Sequence, residues 1–314
     1  MMSGRRVVIT GMGSVNAAGA GGTAVVAEAL ERRLRTIAPL KAFDVDRCTR
    51  RLAAEVDEAR FMALLDPDSV RRLSRICRMA LAACRLAVDE AGLEGGERLG
   101  LVVGSEYGDF RSGAEFFDGF LRRGPAGLSP MVFPSTVMNS MAAVSAISLG
   151  AKATSVTLNQ ATVAGDLAVA RAAALIADGR AEAVVAGGVD DLFSDVYLNL
   201  ARLGVLSPMG GGAPEGCRPY APDHNGPVLG EGATFLVLNP GVTVATFQWN
   251  GDEVFTSAET DRQGAYKLPR LLERGQCYTM IMGAQNYWAY SEDDVCINAQ
   301  SPDLVDLPVQ LERN

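Results

Sequence analysis

The sequence predicts an α/β domain, in which helices cover a sheet, followed by a small all-β sandwich. Up to about residue 239, short apolar runs alternate with helical stretches, and these runs are too apolar for strands that keep one face in water. After Pro240 the composition changes, because 8 of the 20 aromatic residues fall in the final 74 positions. We therefore expect an α/β domain at 1–239 and a β-sandwich at 240–314.

Five apolar runs predict the strands of the first domain, which we expect to form a parallel or mixed sheet. In chain order they are RRVVIT, LGLVVG, SVTL, AEAVVAGG and ATFLVLN. Helical spacing predicts four helices between them, namely GTAVVAEALERRL, SRICRMALAACRLAVDEAG, VMNSMAAVSAISLG and GDLAVARAAALIADG. Cys77 and Cys84 lie seven positions apart in the second helix and share one face, so we expect both to be buried.

The second domain shows apolar and polar residues in alternation. The runs VTVATFQW, EVFTSAET and CYTMIMGA are separated by turn sequences such as NGDE, DRQG and ERGQ. This pattern is typical of short antiparallel strands and predicts the sandwich. The domain carries 11 acidic and 5 basic side chains, so it holds most of the net charge of −8.

Charge and composition argue against several classes of function. The chain is acidic and has no lysine or arginine run, so we expect no nucleic acid and no anionic membrane as a partner. No segment approaches the roughly 18 apolar residues of a membrane span and no secretory signal is evident, which predicts a cytoplasmic protein. Six cysteines without a CxxC pair, and a single histidine, do not suit a metal site. The GMG at 11–13 lacks the third glycine of GxGxxG, so we expect no nicotinamide and no other cofactor.

Five phrases, in order, resemble the β-ketoacyl-acyl-carrier-protein synthases, the condensing enzymes of the thiolase-like superfamily. They are RRVVITGMGSVNAAG, RLGLVVGSEYGDF, LSPMVFPSTVMNSMAAVSAISLG, AVVAGGVDDL and CRPYAPDHNGPVLGEGATFLVL. The resemblance implies the N-terminal half of a thiolase-like layered fold and a place in fatty acid or polyketide biosynthesis. Independently of the family, Gly226, Gly230 and Gly232 allow a sharp turn and a close approach to a neighbouring strand.

In that family the nucleophile is a cysteine at the turn between a buried strand and a helix, whose positive N-terminus favours a thiolate. The turn here is TLNQATVAGD. Counting back from AVVAGG places Gly165 at the glycine that follows the nucleophile and Thr162 at the cysteine. A two-residue slip would instead place Gln160 there, and glutamine is typical of chain-length factors, the paralogues that pair with an active ketosynthase. Neither register supplies a thiol.

The resemblance also implies an acyl-binding region and partners. It implies that Met138, Asn139 and Met141 line an acyl tunnel or an interface, with Gly165 as a further acyl-binding residue, although ordinary core packing also suits each methionine. The implied partners are an acyl carrier protein and a cysteine-bearing ketosynthase, in a homo- or heterodimer. The family's catalytic histidines belong to a half that the matching region, about the first 60% of a ketosynthase, does not include. We expect His224, in YAPDHNGP, to be a solvated turn residue.

Three functions follow from these patterns. The first is a non-condensing, chain-length-factor-like subunit. The second is an acyltransferase that uses Thr162, whose hydroxyl would need a neighbouring general base. The third is a non-enzymatic binding protein that acts through its β-sandwich.

The C-terminal phrase TSAETDRQGAYKLPRLLERGQCYTMIMGAQNYW is similar to carboxypeptidase regulatory-like β-sandwich modules, which are non-catalytic. Asp261 and Gly264 fit a tight hairpin, and Tyr266 begins the strand that follows. Modules of this kind are mostly extracytoplasmic. Their junction with a biosynthetic domain therefore indicates either a natural fusion or a chimeric reading frame.

Overall fold

The computed structural model describes residues 7–46, 48–209 and 214–240 with their side chains, and four later strands by their backbone. The chain divides into two compact units. The larger contains Ile9–Ala174 and Ala181–Leu238, and the smaller contains Met1–Val8, Leu175–Arg180 and Asn239–Asn314. None of the described helices is long and apolar enough to cross a membrane.

A six-stranded mixed sheet forms the centre of the first part of the chain, as the apolar runs predict. The strands up to residue 240 are β1 (Val7–Asn16), β2 (Gly19–Gly21), β3 (Ala38–Pro39), β4 (Leu52–Ala53), β5 (Leu99–Ser105), β6 (Ser155–Asn159), β7 (Ala183–Asp190) and β8 (Gly232–Pro240). The sheet order is β2-β1-β8-β7-β5-β6, while β3 and β4 form a separate pair. β5 is parallel to both β6 and β7, and β8 is antiparallel to β7.

Eight α-helices connect and cover these strands in the described residues. They are α1 (Thr23–Glu31), α2 (Glu58–Met62), α3 (Pro67–Val70), α4 (Arg75–Ala91), α5 (Phe110–Arg123), α6 (Ser140–Leu149), α7 (Ala164–Ala177) and α8 (Ser194–Arg202). The four predicted helices correspond to α1, α4, α6 and α7. The sequence did not predict α2, α3, α5 or α8, and α5 leaves several large apolar side chains exposed.

Helix α4 is the centre of the core, and the strand β1 lies directly on it. Cys77 and Cys84 are 2% and 0% exposed, which confirms the predicted buried face. A Cβ on Gly13 would lie 2.1 Å from the carbonyl oxygen of Ala83, and one on Gly11 would lie 2.2 Å from that of Ala87. The two glycines of GMG therefore permit a strand and a helix backbone to touch, which explains the motif without a bound nucleotide.

The later part of the chain forms a second, all-antiparallel sheet. Its described strands are β9 (Val244–Trp249), β10 (Glu253–Glu259), β11 (Gln276–Gly283) and β12 (Tyr290–Ile297), in the order β10-β9-β11-β12. The first three correspond to the predicted alternating runs, whereas β12 was not predicted. The described strands form one four-stranded sheet, and the sandwich itself stays a prediction. The hairpin residues Asp261, Gly264 and Tyr266 lie outside the described residues.

Candidate functional site

The turn between β6 and α7 has the backbone geometry of a nucleophile elbow. Asn159 ends the strand and Ala164 begins the helix, so only four residues connect them. Within this turn Thr162 adopts φ 64°, in the left-handed region that a β-branched residue rarely enters. A sharp strand-to-helix turn of this kind exposes the residue at its apex above the sheet. Gln160, in the alternative register, is exposed and does not have a positive φ.

Glycines on two strands allow the first turn of α7 to approach the sheet closely. A Cβ on Gly104 of β5 would lie 2.2 Å from the carbonyl oxygen of Ala164. A Cβ on Gly188 of β7 would lie 3.1 Å from the Cα of Gly165. Side chains at Gly104 or Gly188 would therefore push the helix away from the strand ends, so the glycines set the position of the elbow.

A polar cavity of about 230 Å³ opens beside the elbow, at the carboxyl ends of β5 and β7. In doubly wound sheets, ligands bind at the carboxyl ends of parallel strands. The cavity contains Thr162 and Gly165, whereas Gln160, Met138 and Asn139 are not among its lining residues. The lining consists of Gly104, Glu106, Thr162, Ala164, Gly165, Gly188, Val189, Asp190, Gly230 and Gly232.

Of the three residues predicted to bind an acyl group, Gly165 lines the cavity, whereas Met138 and Asn139 lie elsewhere in the larger unit. The Sδ atom of Met138 would be 2.5 Å from a Cβ on Gly108, so Met138 packs over the turn that follows β5. Asn139 precedes α6 and makes no capping hydrogen bond with its side chain. Met141 is fully buried in the main core, so core packing accounts for it.

Two carboxylates that the sequence analysis did not identify face the elbow. The Asp190 carboxylate accepts hydrogen bonds from the Ser105 hydroxyl at 2.8 Å and from the backbone N–H groups of Glu106 at 2.9 Å and Tyr107 at 3.0 Å. Glu106 Oε2 accepts the backbone N–H of Thr162 at 3.1 Å. Burial raises the pKa of the Asp190 carboxyl, and the hydrogen bonds from the loop oppose that rise.

A signal for these carboxylates was present in the sequence. Glu106 and Asp190 each lie two positions after an apolar run, LGLVVG at 99–104 and AEAVVAGG at 181–188. Because the carboxyl ends of neighbouring parallel strands meet at one edge of a sheet, two acidic residues in these places fall close together once β5 and β7 are known to be adjacent.

The chemistry of the cavity differs from that of a thiol-dependent site. Thr162 is the one hydroxyl-bearing residue among the lining residues, and these include neither cysteine nor histidine. His224 is exposed, and its Nδ1 lies 3.0 Å from the carbonyl oxygen of Ala221 within its own loop, so it is the solvated turn residue that was expected. A threonine hydroxyl is a poor nucleophile unless a general base takes its proton.

The LGEGA phrase forms the far rim of the cavity, and its glutamate holds that rim in place. Gly230 and Gly232 line the cavity. Glu231, between them, is only 4% exposed and accepts two hydrogen bonds from Arg75, at 2.9 and 3.0 Å. It also accepts the backbone N–H groups of Val56 at 2.8 Å and Leu192 at 3.0 Å. The motif is therefore an internal ion pair that connects four separate segments.

Sequence comparison places this arrangement in a known family. Residues 4–242 match the model of the β-ketoacyl synthase N-terminal domain. The chain is 28% identical over 239 residues to 3-oxoacyl-acyl-carrier-protein synthase 2 of Synechocystis sp., an alignment that covers 74% of this chain and 57% of that protein. The chain thus spans somewhat more than half the length of this relative.

Solved structures show the same fold. The ishigamide ketosynthase/chain length factor is 25% identical, with a TM-score of 0.67 over 77% of this chain and 64% of that one. A type II polyketide synthase acyl-carrier protein in complex with its ketosynthase bound to the hexaketide gives a TM-score of 0.64 at 19% identity, over 81% of this chain and 62% of that one. The chain therefore belongs to the β-ketoacyl synthase family, through its N-terminal domain.

Proposed function

We propose that this protein is a non-condensing, chain-length-factor-like subunit of fatty acid or polyketide biosynthesis, which acts beside a cysteine-bearing ketosynthase. The observation that carries the proposal is the elbow. Its left-handed apex is occupied by Thr162, and the described cavity beside it has no thiol. A scaffold that keeps the elbow but not the thiolate suits a partner of a condensing enzyme better than the enzyme itself.

The edge of the central sheet supports a partner. Strand β6 is the last strand in the sheet order and pairs only with β5 among the described strands. Its residues Val156, Thr157 and Leu158 are half-buried, and Ser155 and Asn159 are exposed. An unpaired edge of this kind offers N–H and C=O groups to a strand from another chain. The likeness to a solved ketosynthase/chain length factor supports a ketosynthase as the partner in this proposal.

We propose a cysteine-bearing ketosynthase as the chain across this edge and an acyl carrier protein as the donor of the acyl group. The support for the carrier is the likeness to a ketosynthase solved with its acyl-carrier protein. Residues 240–314 remain, in this proposal, a separate carboxypeptidase regulatory-like domain. The all-antiparallel β9–β12 sheet supports that division.

Co-expression with a type II ketosynthase tests the proposal. We expect the full chain to co-purify with the ketosynthase and to alter the length of its product. Leu158→Glu, at the sheet edge, should abolish co-purification, whereas Leu203→Glu, at a position that is already 73% exposed, should not. A chain that stays monomeric beside the ketosynthase, or that loses binding equally in both variants, would count against the proposal.

A second candidate is an acyltransferase that uses Thr162 as its acceptor. The observation that favours it is the position of Thr162 at the apex of the elbow, beside two carboxylates. Incubation with an acyl thioester followed by intact-mass analysis separates the two candidates. An adduct that disappears in Thr162→Ala would support the acyltransferase, and an unchanged mass would support the non-condensing subunit.

A further inference from the structure

We infer that Glu106 is a specificity-determining residue that makes the elbow cavity reject anionic groups, because its carboxylate already occupies the position of a bound anion. This inference deepens the proposed function and rests on it only for the biological context. The geometry itself involves residues of one chain. It concerns the backbone N–H of Thr162, the first turn of α7 and the loop that follows β5.

The loop that carries Glu106 is pinned on both sides. The backbone N–H of Glu106 donates to the Asp190 carboxylate at 2.9 Å. Its backbone carbonyl accepts the Asn159 side-chain amide at 2.6 Å, and the same amide donates to the Ser105 carbonyl at 2.9 Å. These contacts involve only the main chain of Glu106. The loop therefore keeps its position when the side chain is changed, and the carboxylate is presented to the elbow.

The Glu106 carboxylate accepts the hydrogen bond that the backbone N–H of an elbow would otherwise donate to a ligand. Backbone N–H groups at a strand-to-helix elbow stabilise a developing oxyanion in enzymes that use such turns. Here the N–H of Thr162 donates to Glu106 Oε2 at 3.1 Å. The N-terminus of α7, with its partial positive charge, begins two residues after Thr162, and Asp166 places a second carboxylate in its first turn. An external anion would have to displace Glu106 to accept the N–H of Thr162.

The other charged group of the cavity has the same sign. Asp190 lies at the carboxyl end of the neighbouring strand β7, and its pKa is raised first by burial and also by the Glu106 carboxylate. The Tyr107 phenol also faces Glu106. Its pKa is raised to about 12 by burial and then by that carboxylate. No lysine or arginine is among the lining residues of the described cavity. The chemistry of the cavity thus suits neutral groups and disfavours carboxylate-bearing ones.

A thiol introduced at the elbow measures this property directly. Thr162→Cys in the full chain is alkylated with either neutral iodoacetamide or anionic iodoacetate, and the ratio of the two rates is determined. Trypsin releases residues 153–171, a fragment without a native cysteine, so mass spectrometry reports the introduced thiol alone. The exposed thiol of Cys217 serves in each sample as an internal reference for the reagents.

We expect iodoacetamide to be favoured over iodoacetate at position 162, and Glu106→Gln to lower that preference about tenfold, the effect of one nearby unit charge. The matched control is Glu97→Gln, which removes an exposed carboxylate that pairs with Lys152. This control should leave the ratio unchanged. A loss of packing alone would alter both rates together and would not move their ratio.

Salt provides a second measurement that needs no change at Glu106. In Thr162→Cys the preference should weaken as ionic strength rises, because the cavity is open to solvent and its charges are screened. If the ratio of the two alkylation rates at position 162 changes neither with Glu106→Gln nor with salt, the inference is wrong. Neither experiment needs a partner, so a failed co-purification with a ketosynthase and a failed alkylation test would be distinct results.

Discussion

Replacement of Glu231 by alanine should cost this protein more stability than any other single carboxylate removal considered above. Glu231 is 4% exposed, and its carboxylate accepts four hydrogen bonds from Arg75, Val56 and Leu192. Removal of one partner from a buried ion pair costs about 3–5 kcal/mol, since the remaining charge stays desolvated. Two backbone N–H groups lose their acceptor as well, at about 1–3 kcal/mol each if water does not reach them.

A second carboxylate near Arg75 reduces the stability that Glu231→Ala is expected to lose. Arg75 Nε lies 3.4 Å from Glu58, whose side chain is 44% exposed, so the guanidinium keeps one partly solvated partner. We therefore expect a loss of about 3–5 kcal/mol in the free energy of unfolding. For a unit of this size, that corresponds to a decrease in Tm on the order of 10 °C. Glu231→Gln keeps one acceptor oxygen and should lose less.

Urea unfolding followed by circular dichroism measures the change, and the m-value shows whether the two variants expose the same surface. The control is Glu97→Ala, which breaks an exposed pair with Lys152 at 2.9 Å and should cost no more than about 1 kcal/mol. If Glu231→Ala and Glu97→Ala unfold at the same urea concentration, the assignment of LGEGA as an internal ion-pair motif is wrong.

Three further outcomes are expected from the same assay. Gly13→Ala places a Cβ 2.1 Å from the Ala83 carbonyl oxygen and should lower the free energy of unfolding by about 3 kcal/mol. Gly113→Ala, in open space within α5, should raise it by up to about 1 kcal/mol. Equal effects would contradict the close approach of β1 to α4. Thr162→Gly should raise the free energy of unfolding by about 0.5–1 kcal/mol, because glycine adopts φ 64° without strain, and a loss would indicate that the threonine side chain stabilises the turn. Burial raises the pKa of Asp190, so its carboxyl keeps the proton to a higher pH in the native state than in the unfolded state. The contribution of Asp190 to stability therefore falls as pH rises from about 4 through the raised pKa. Asp190→Asn should flatten that decline in unfolding curves measured at several pH values.

Local patterns were sufficient for most of the scaffold. Each of the five apolar runs forms a strand, and β5 is buried along its whole length on both faces. The four predicted helices appear because their apolar residues recur at helical spacing. The sequence showed the glycine motifs but not the backbone atoms that they approach. The Ala83 carbonyl that Gly13 faces is 70 positions away in the chain. Helix α5 was missed although Phe110, Phe117 and Leu121 recur at helical spacing in the sequence.

The sequence by itself determined that a turn without cysteine connects β6 to α7, and that the surrounding phrases belong to a ketosynthase scaffold. Only the tertiary structure decided what faces that turn. Glu106 meets Thr162 across 56 positions, and Glu231 meets Arg75 across 156. Periodicity reports which face of an element is buried, but not which elements are neighbours. The placement of β5 between β6 and β7 brings the carboxylates to the elbow, because that order aligns the carboxyl ends of three parallel strands.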